Sequence, residues 1–90
     1  MRSHTTRQFR ELLAELPADV QRQAGNAYRL FRADPFHQSL HLKQVSPRNT
    51  AIWSVRVGAH YRVIGLRKGE DFFWGWIGHH AEYDRLLKQM

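Results

Sequence analysis

The sequence predicts an α+β domain: an N-terminal helical hairpin packed on a small antiparallel sheet of about four strands, closed by a short C-terminal helix. Three observations predict it. Apolar residues recur at helical spacing over the first third of the chain, and the period changes to two after Ser39. Short turn-forming segments then separate the apolar runs up to Ile77.

In the first helix, Phe9, Leu12, Leu13 and Leu16 follow the i, i+3, i+4, i+7 rule, so residues 5 to 16 read as amphipathic, with Thr5 or Thr6 as cap. Pro17 suits the first turn of a second helix, where its missing N–H would be unpaired anyway. Val20, Ala24, Ala27, Tyr28 and Phe31 form its apolar stripe. Gly25 costs that helix about 1 kcal/mol relative to alanine, which a close helix approach would explain. Asp34-Pro35 ends it, because the residue before proline is pushed out of helical geometry.

Leu40, Leu42 and Val45 predict a first strand, followed by a turn at Pro47-Arg48-Asn49. The next strands are Ile52–Val57, Tyr61–Leu66 and Phe72–Ile77, and connections this short imply an antiparallel meander. Glu82 to Leu87 read as a terminal helix with Tyr83, Leu86 and Leu87 inward. No repeat, linker or low-complexity tract divides the chain, so residues 1–90 are expected to form one domain.

Register decides where the charges fall. With Gly58-Ala59-His60 as the first turn, Val57 faces Tyr61, Arg56 faces Arg62 and Val55 faces Val63, which keeps the apolar side chains on one face. With Lys68-Gly69 as the second turn, Arg67 faces Glu70, Tyr61 faces Trp76, Arg62 faces Gly75 and Val63 faces Trp74. Trp53, Val55, Tyr61, Val63, Trp74 and Trp76 would then share the covered face. Ser54, Arg56, Arg62, Gly75 and Ile77 would share the other. Like charges directly opposite are destabilising. They call for an anion between them, or for neutralisation by Glu82, Asp84 or the C-terminal carboxylate, and the residues alone leave both readings open.

Lys plus Arg outnumber Asp plus Glu by 14 to 8, giving a net charge of +6, which favours a polyanion or an acidic partner. There is no cysteine, so disulfides and cysteine-based metal sites are excluded. No apolar run approaches the ~20 residues that span a bilayer, and Met1–Thr6 leads into no signal-like apolar core, so a cytoplasmic address without membrane contact is expected.

His79 and His80 follow the last strand at its exit. An imidazole can act as general acid or base, and a neighbouring guanidinium can hold a phosphate and stabilise charge developing in the transition state. Together they suit attack of a ribose 2′-OH on its own 3′-phosphate, which requires no metal. Taken alone, His79 also reads as a surface residue and His80 as an N-cap or first-turn residue of the terminal helix. His37 and His41 have a helical ligand spacing but lie in a loop without an attendant glutamate. No metal site and no cofactor are expected.

The order of elements resembles the RelE/ParE superfamily of bacterial toxin–antitoxin toxins. The resemblance is carried by Asp34-Pro35 with Ser39-Leu40-His41-Leu42-Lys43, by Trp53 to Gly58, by Tyr61-Arg62-Val63, and by Trp76 to Asp84. It implies a toxin held inactive by a cognate antitoxin, most often a ribosome-associated endoribonuclease that cuts messenger RNA and meets operator DNA only through the antitoxin. Residue by residue, it implies that Arg56 and Arg62 bind phosphate and that His80, the residue after Gly78-x, takes part in proton transfer. His79 and Tyr83 are further catalytic candidates, and Lys43, Arg48, His60 and Lys68 are candidate RNA contacts. The resemblance equally admits a ParE-like toxin that inhibits DNA gyrase, or a catalytically weak regulator. Two departures stand out: the polar Met1–Thr6 segment predicts that the family's N-terminal edge strand is missing or shortened, and Ser54 occupies a position that carries lysine in some relatives.

Overall fold

The computed structural model describes residues 1–90. A strand β1 (Arg2–Thr5) precedes the helical hairpin α1 (Arg7–Ala14) and α2 (Ala18–Ala33). A 3-10 turn over Gln38–Leu40 leads to β2 (Lys43–Gln44), β3 (Ile52–Val57), β4 (Tyr61–Lys68), β5 (Asp71–His79) and α3 (His80–Gln89). The five strands form one mixed sheet in the order β1-β5-β4-β3-β2, with β1 parallel to β5 and every other pair antiparallel. The α+β class stands as expected.

The N-terminal strand is present over four residues, which corrects the expectation of a missing edge strand. Its signal is polar rather than apolar. Ser3 and Thr5 turn toward the helices while Arg2 and His4 turn outward. Trp74 Nε1 donates to Ser3 Oγ at 2.8 Å, Tyr28 donates its hydroxyl to the Ser3 carbonyl at 3.0 Å, and Thr6 Oγ1 donates to the Trp74 carbonyl at 2.9 Å. Outside, Arg2 forks onto both carboxylate oxygens of Asp71 at 2.7 and 2.9 Å.

Thr6 caps α1, its hydroxyl accepting from Phe9 N, so the helix starts at Arg7 rather than residue 5. Pro17 is the N-cap of α2, one residue before the first turn it was expected to occupy, and Asp34 is the C-cap, as the proline after it requires. Phe9, Ala24, Ala27, Phe31 and Leu40 meet Val55, Val57, Val63, Phe72, Trp74 and Ile77 in one buried core between the hairpin and the sheet. Gly25 serves no close helix approach, since a Cβ there would meet only the Arg29 guanidinium at 3.6 Å.

The expected strand over Leu40–Val45 is reduced to Lys43–Gln44, because Leu40 belongs to the 3-10 turn and His41 takes a left-handed backbone, φ 47°. The β3–β4 register is the one the apolar pattern predicts: Val57 opposite Tyr61, Arg56 opposite Arg62, Val55 opposite Val63.

The second hairpin differs. Gly69-Glu70 makes the turn, with φ +59° at Gly69, so Lys68 pairs with Asp71 and Leu66 with Phe73. A β-bulge then breaks the alternation. Gly65 pairs with Trp74 but Ile64 with Trp76, leaving Gly75 as the extra residue, and Arg62 ends opposite Gly78 and Tyr61 opposite His79. One inserted residue exchanges the faces of everything beyond it. Ile77 therefore enters the core, and Trp76 joins the face that carries the arginines, the reverse of the strict period-two reading.

Candidate functional site

The β3–β4 turn, the end of β5 and the start of α3 meet at one end of the sheet. Arg56 and Arg62 lie directly opposite each other there, both half-buried. Arg56 Nε donates to the Gly58 carbonyl at 3.0 Å, and Arg62 Nη1 donates to the Tyr61 carbonyl at 2.9 Å. Arg56 Nη1 also lies 3.4 Å from His41 Nε2, a nitrogen that accepts when the imidazole is neutral with its proton on Nδ1. Neither guanidinium forms an ion pair. The ion pairs of the protein join Met1 to Glu70, Arg2 and His4 to Asp71, and Arg7 to Glu11. Neutralisation by Glu82, Asp84 or the C-terminus does not occur, and remaining N–H donors of both arginines are available to an anion.

His79 is the N-cap of α3, its Nδ1 accepting from Ala81 N at 3.3 Å, and His80 is the first helical residue rather than the cap. The His80 amide donates to the His60 carbonyl at 2.8 Å, tying the β3–β4 turn to the start of α3. The rings of His60, His79 and His80 gather as a result, with centroids 6.1 Å apart for His60 and either partner and 4.3 Å apart for His79 and His80. His60 lies in a turn nineteen residues before His79, and the strand pairing brings it to the same sheet end.

The other candidates divide. Lys43 pairs with Ser54 from the edge strand, on the same face as Arg56 two residues along, so a lysine stands across from the position where Ser54 leaves one absent. Lys68 shares that face but lies six residues along β4 from Arg62, about 20 Å away at ~3.3 Å per residue. Arg48, in the β2–β3 connection, belongs to the same far end. Tyr83 is buried on α3, with 6% of its surface exposed, a packing position. Two neighbours escaped the sequence reading. His41 reaches Arg56 through its left-handed backbone, and Trp76 spreads its indole over Gly78 opposite Arg62, in the space a Cβ at residue 78 would take. The bulge at Gly75 carries no apolar signal that could have announced the second.

A helical hairpin backs a sheet whose paired Arg56 and Arg62 are free of ion pairs, with Arg56 also lining a groove against Gln23 and Asn26 of α2 and with imidazoles at the same sheet end. The model of the ParE-like toxin domain matches residues 18–85, and the chain belongs to that family, within the RelE/ParE superfamily of toxins. Among solved structures it is similar to the RelB–RelE antitoxin–toxin complex from Methanococcus jannaschii, with a TM-score of 0.73 at 15% identity, over 91% of this chain and 96% of that one. It is also similar to a copper-bound mutant toxin from Helicobacter pylori, with a TM-score of 0.59 at 13% identity, over 91% and 97% of the two chains. No curated protein matches the sequence. No helix is long and apolar enough to cross a membrane.

Proposed function

We propose that this toxin is a messenger-RNA endoribonuclease acting in the cytoplasm on the ribosome, without a metal, and held inactive by a cognate antitoxin. The observation that carries the reading is the opposition of Arg56 and Arg62 without a carboxylate, at the sheet end that also holds His80. In this reading the two guanidinium groups hold the scissile phosphate and stabilise the charge that builds on its oxygens. The 2′-OH attacks phosphorus, its proton is taken up, and the bond to the 5′-oxygen breaks as that oxygen is protonated, leaving a cyclic phosphate. His80 moves one of these protons, with His79 and His60 beside it. Lys43 adds a contact to the RNA backbone, and Tyr83, Lys68 and Arg48 act outside the reacting centre.

The structural neighbour from Methanococcus jannaschii is a toxin bound to its antitoxin, which supports an antitoxin as the partner here. In this reading operator DNA is reached only through that antitoxin. Expression of the protein is expected to stop translation and to yield transcripts cut within codons. Arg62→Ala and His80→Gln are each expected to slow cleavage about 100-fold or more, the usual cost of a lost transition-state contact. Variants that cut RNA at the wild-type rate overturn the assignment. The match to the ParE-like domain supports a second reading, inhibition of DNA gyrase by binding. A supercoiling assay separates the two, since only the second predicts loss of supercoiling with transcripts intact.

A further inference from the structure

We propose that His60, His79 and His80 form a binding site for a single divalent transition ion, Cu²⁺ or Zn²⁺. One ring nitrogen from each can be chosen so that all lie within 4.8 Å of one another. Two ligands on a common tetrahedral ion sit roughly 3.4 Å apart for metal–nitrogen distances near 2.1 Å. Closing that gap takes rotation of side chains, of which His60 and His80 are exposed and free to turn. Their backbones are already fixed, by the His80 amide on the His60 carbonyl and by the pairing of Tyr61 with His79.

The rings also have little other work. Those of His60 and His80 make no hydrogen bond, and that of His79 makes one, through Nδ1 to the Ala81 amide. Imidazole suits copper and zinc, and three such ligands leave a position open to water or another oxygen donor. Glu15 and Glu82 line the groove that His79 borders, so the surface next to the cluster carries two carboxylates in an otherwise basic protein.

The capping bond sets a specific consequence. A neutral imidazole that accepts through Nδ1 carries its proton on Nε2. For His79 to ligate, either Nδ1 leaves the Ala81 amide for the ion or the proton moves to Nδ1, and in both cases the cap opens. Metal binding and the first turn of α3 are thereby coupled. Where His80 serves in RNA cleavage, which rests on the ribonuclease reading, the ion withdraws it and inhibits. The binding itself does not depend on that reading.

The test is calorimetric titration of the full-length protein with CuSO₄ and, separately, ZnCl₂, with amide resonances followed in parallel for the zinc titration. One saturable ion per chain is expected, with copper tighter than zinc, and zinc is expected to shift the Ala81 amide. Losing even an outer-sphere partner typically weakens a metal site by ~10–100-fold, so His60→Ala and His80→Ala are each expected to cost at least about tenfold. His37→Ala, elsewhere on the surface, is expected to leave the affinity unchanged. Absence of saturable binding, or affinity unmoved in both His60→Ala and His80→Ala, overturns the proposal even if RNA cleavage is established. Conversely, tight binding in a protein that cuts no RNA supports the site while removing the ribonuclease reading.

Discussion

Arg56 and Arg62 stand directly across from one another on adjacent antiparallel strands, each bonded to a nearby backbone carbonyl and neither paired with a carboxylate. Like charges in that position oppose folding by roughly 0.2–1 kcal/mol. Arg62→Gln is therefore expected to leave stability unchanged or raise it by up to about 1 kcal/mol in a buffer free of multivalent anions. Added phosphate or sulfate is expected to raise the melting temperature of the wild type more than that of Arg62→Gln, because an anion bound only by the folded state stabilises it by mass action. Equal anion responses in the two proteins would remove the anion site.

Tyr83 carries a different expectation from the one its place in the motif implies. It is buried on α3 with 6% of its surface exposed, which supports a packing role for its ring. Tyr83→Phe is expected to retain wild-type toxicity within a few-fold. Tyr83→Ala is expected to lose about 3–5 kcal/mol, the usual cost of emptying an aromatic site, measured by urea unfolding. A Tyr83→Phe protein that folds normally but has lost about 100-fold in cleavage would return the hydroxyl to the chemistry.

The fold was legible wherever its signal was apolar and periodic. The hairpin stripes and the β3–β4 register follow from Phe9, Val55, Val57 and Val63, which must share one buried face. Two elements escaped because their determinants are not periodic. β1 is held by serine, threonine and arginine partners that only the folded chain supplies, and the bulge at Gly75 reverses alternation without changing composition. The arginine pair was accordingly placed correctly from sequence. Its neighbour across β5 was not, since that strand brings Gly78 under the Trp76 indole instead of leaving Gly75 as open space.

Asp71 ties β1 to the sheet. Hydrogen bonds from Arg2 and then His4 hold its carboxyl well below the ordinary carboxylate range, and the same contact raises the Arg2 guanidinium. The folded value lies below the unfolded one, about 3.9, so this stabilisation is fully present above that range and is lost as pH falls through it toward the folded value. The wild type is expected to lose stability progressively below about pH 4, and Asp71→Asn is expected to show a shallower decline over the same interval from a lower starting point. Urea midpoints measured between neutrality and the acid limit give both slopes. Parallel curves would mean that the exposed pair contributes nothing in solution.

Two glycines in the chain call for opposite outcomes on the same substitution. Gly25 lies inside α2, where a Cβ would make only ordinary contact with the Arg29 side chain at 3.6 Å. Gly25→Ala is therefore expected to stabilise the protein by about 0.5–1 kcal/mol, since alanine loses less backbone entropy in a helix. Gly78 is buried, and a Cβ there would occupy the space of the Trp76 indole. Displacing that ring is expected to cost about 1–3 kcal/mol in Gly78→Ala. If the cost is the collision, Trp76→Ala removes its cause, and the double variant Gly78→Ala/Trp76→Ala is expected to be no less stable than Trp76→Ala alone, a non-additivity that contacting residues show. Full additivity would place the cost in the backbone at residue 78 instead, and with it the reason that a glycine faces Arg62 across the strands.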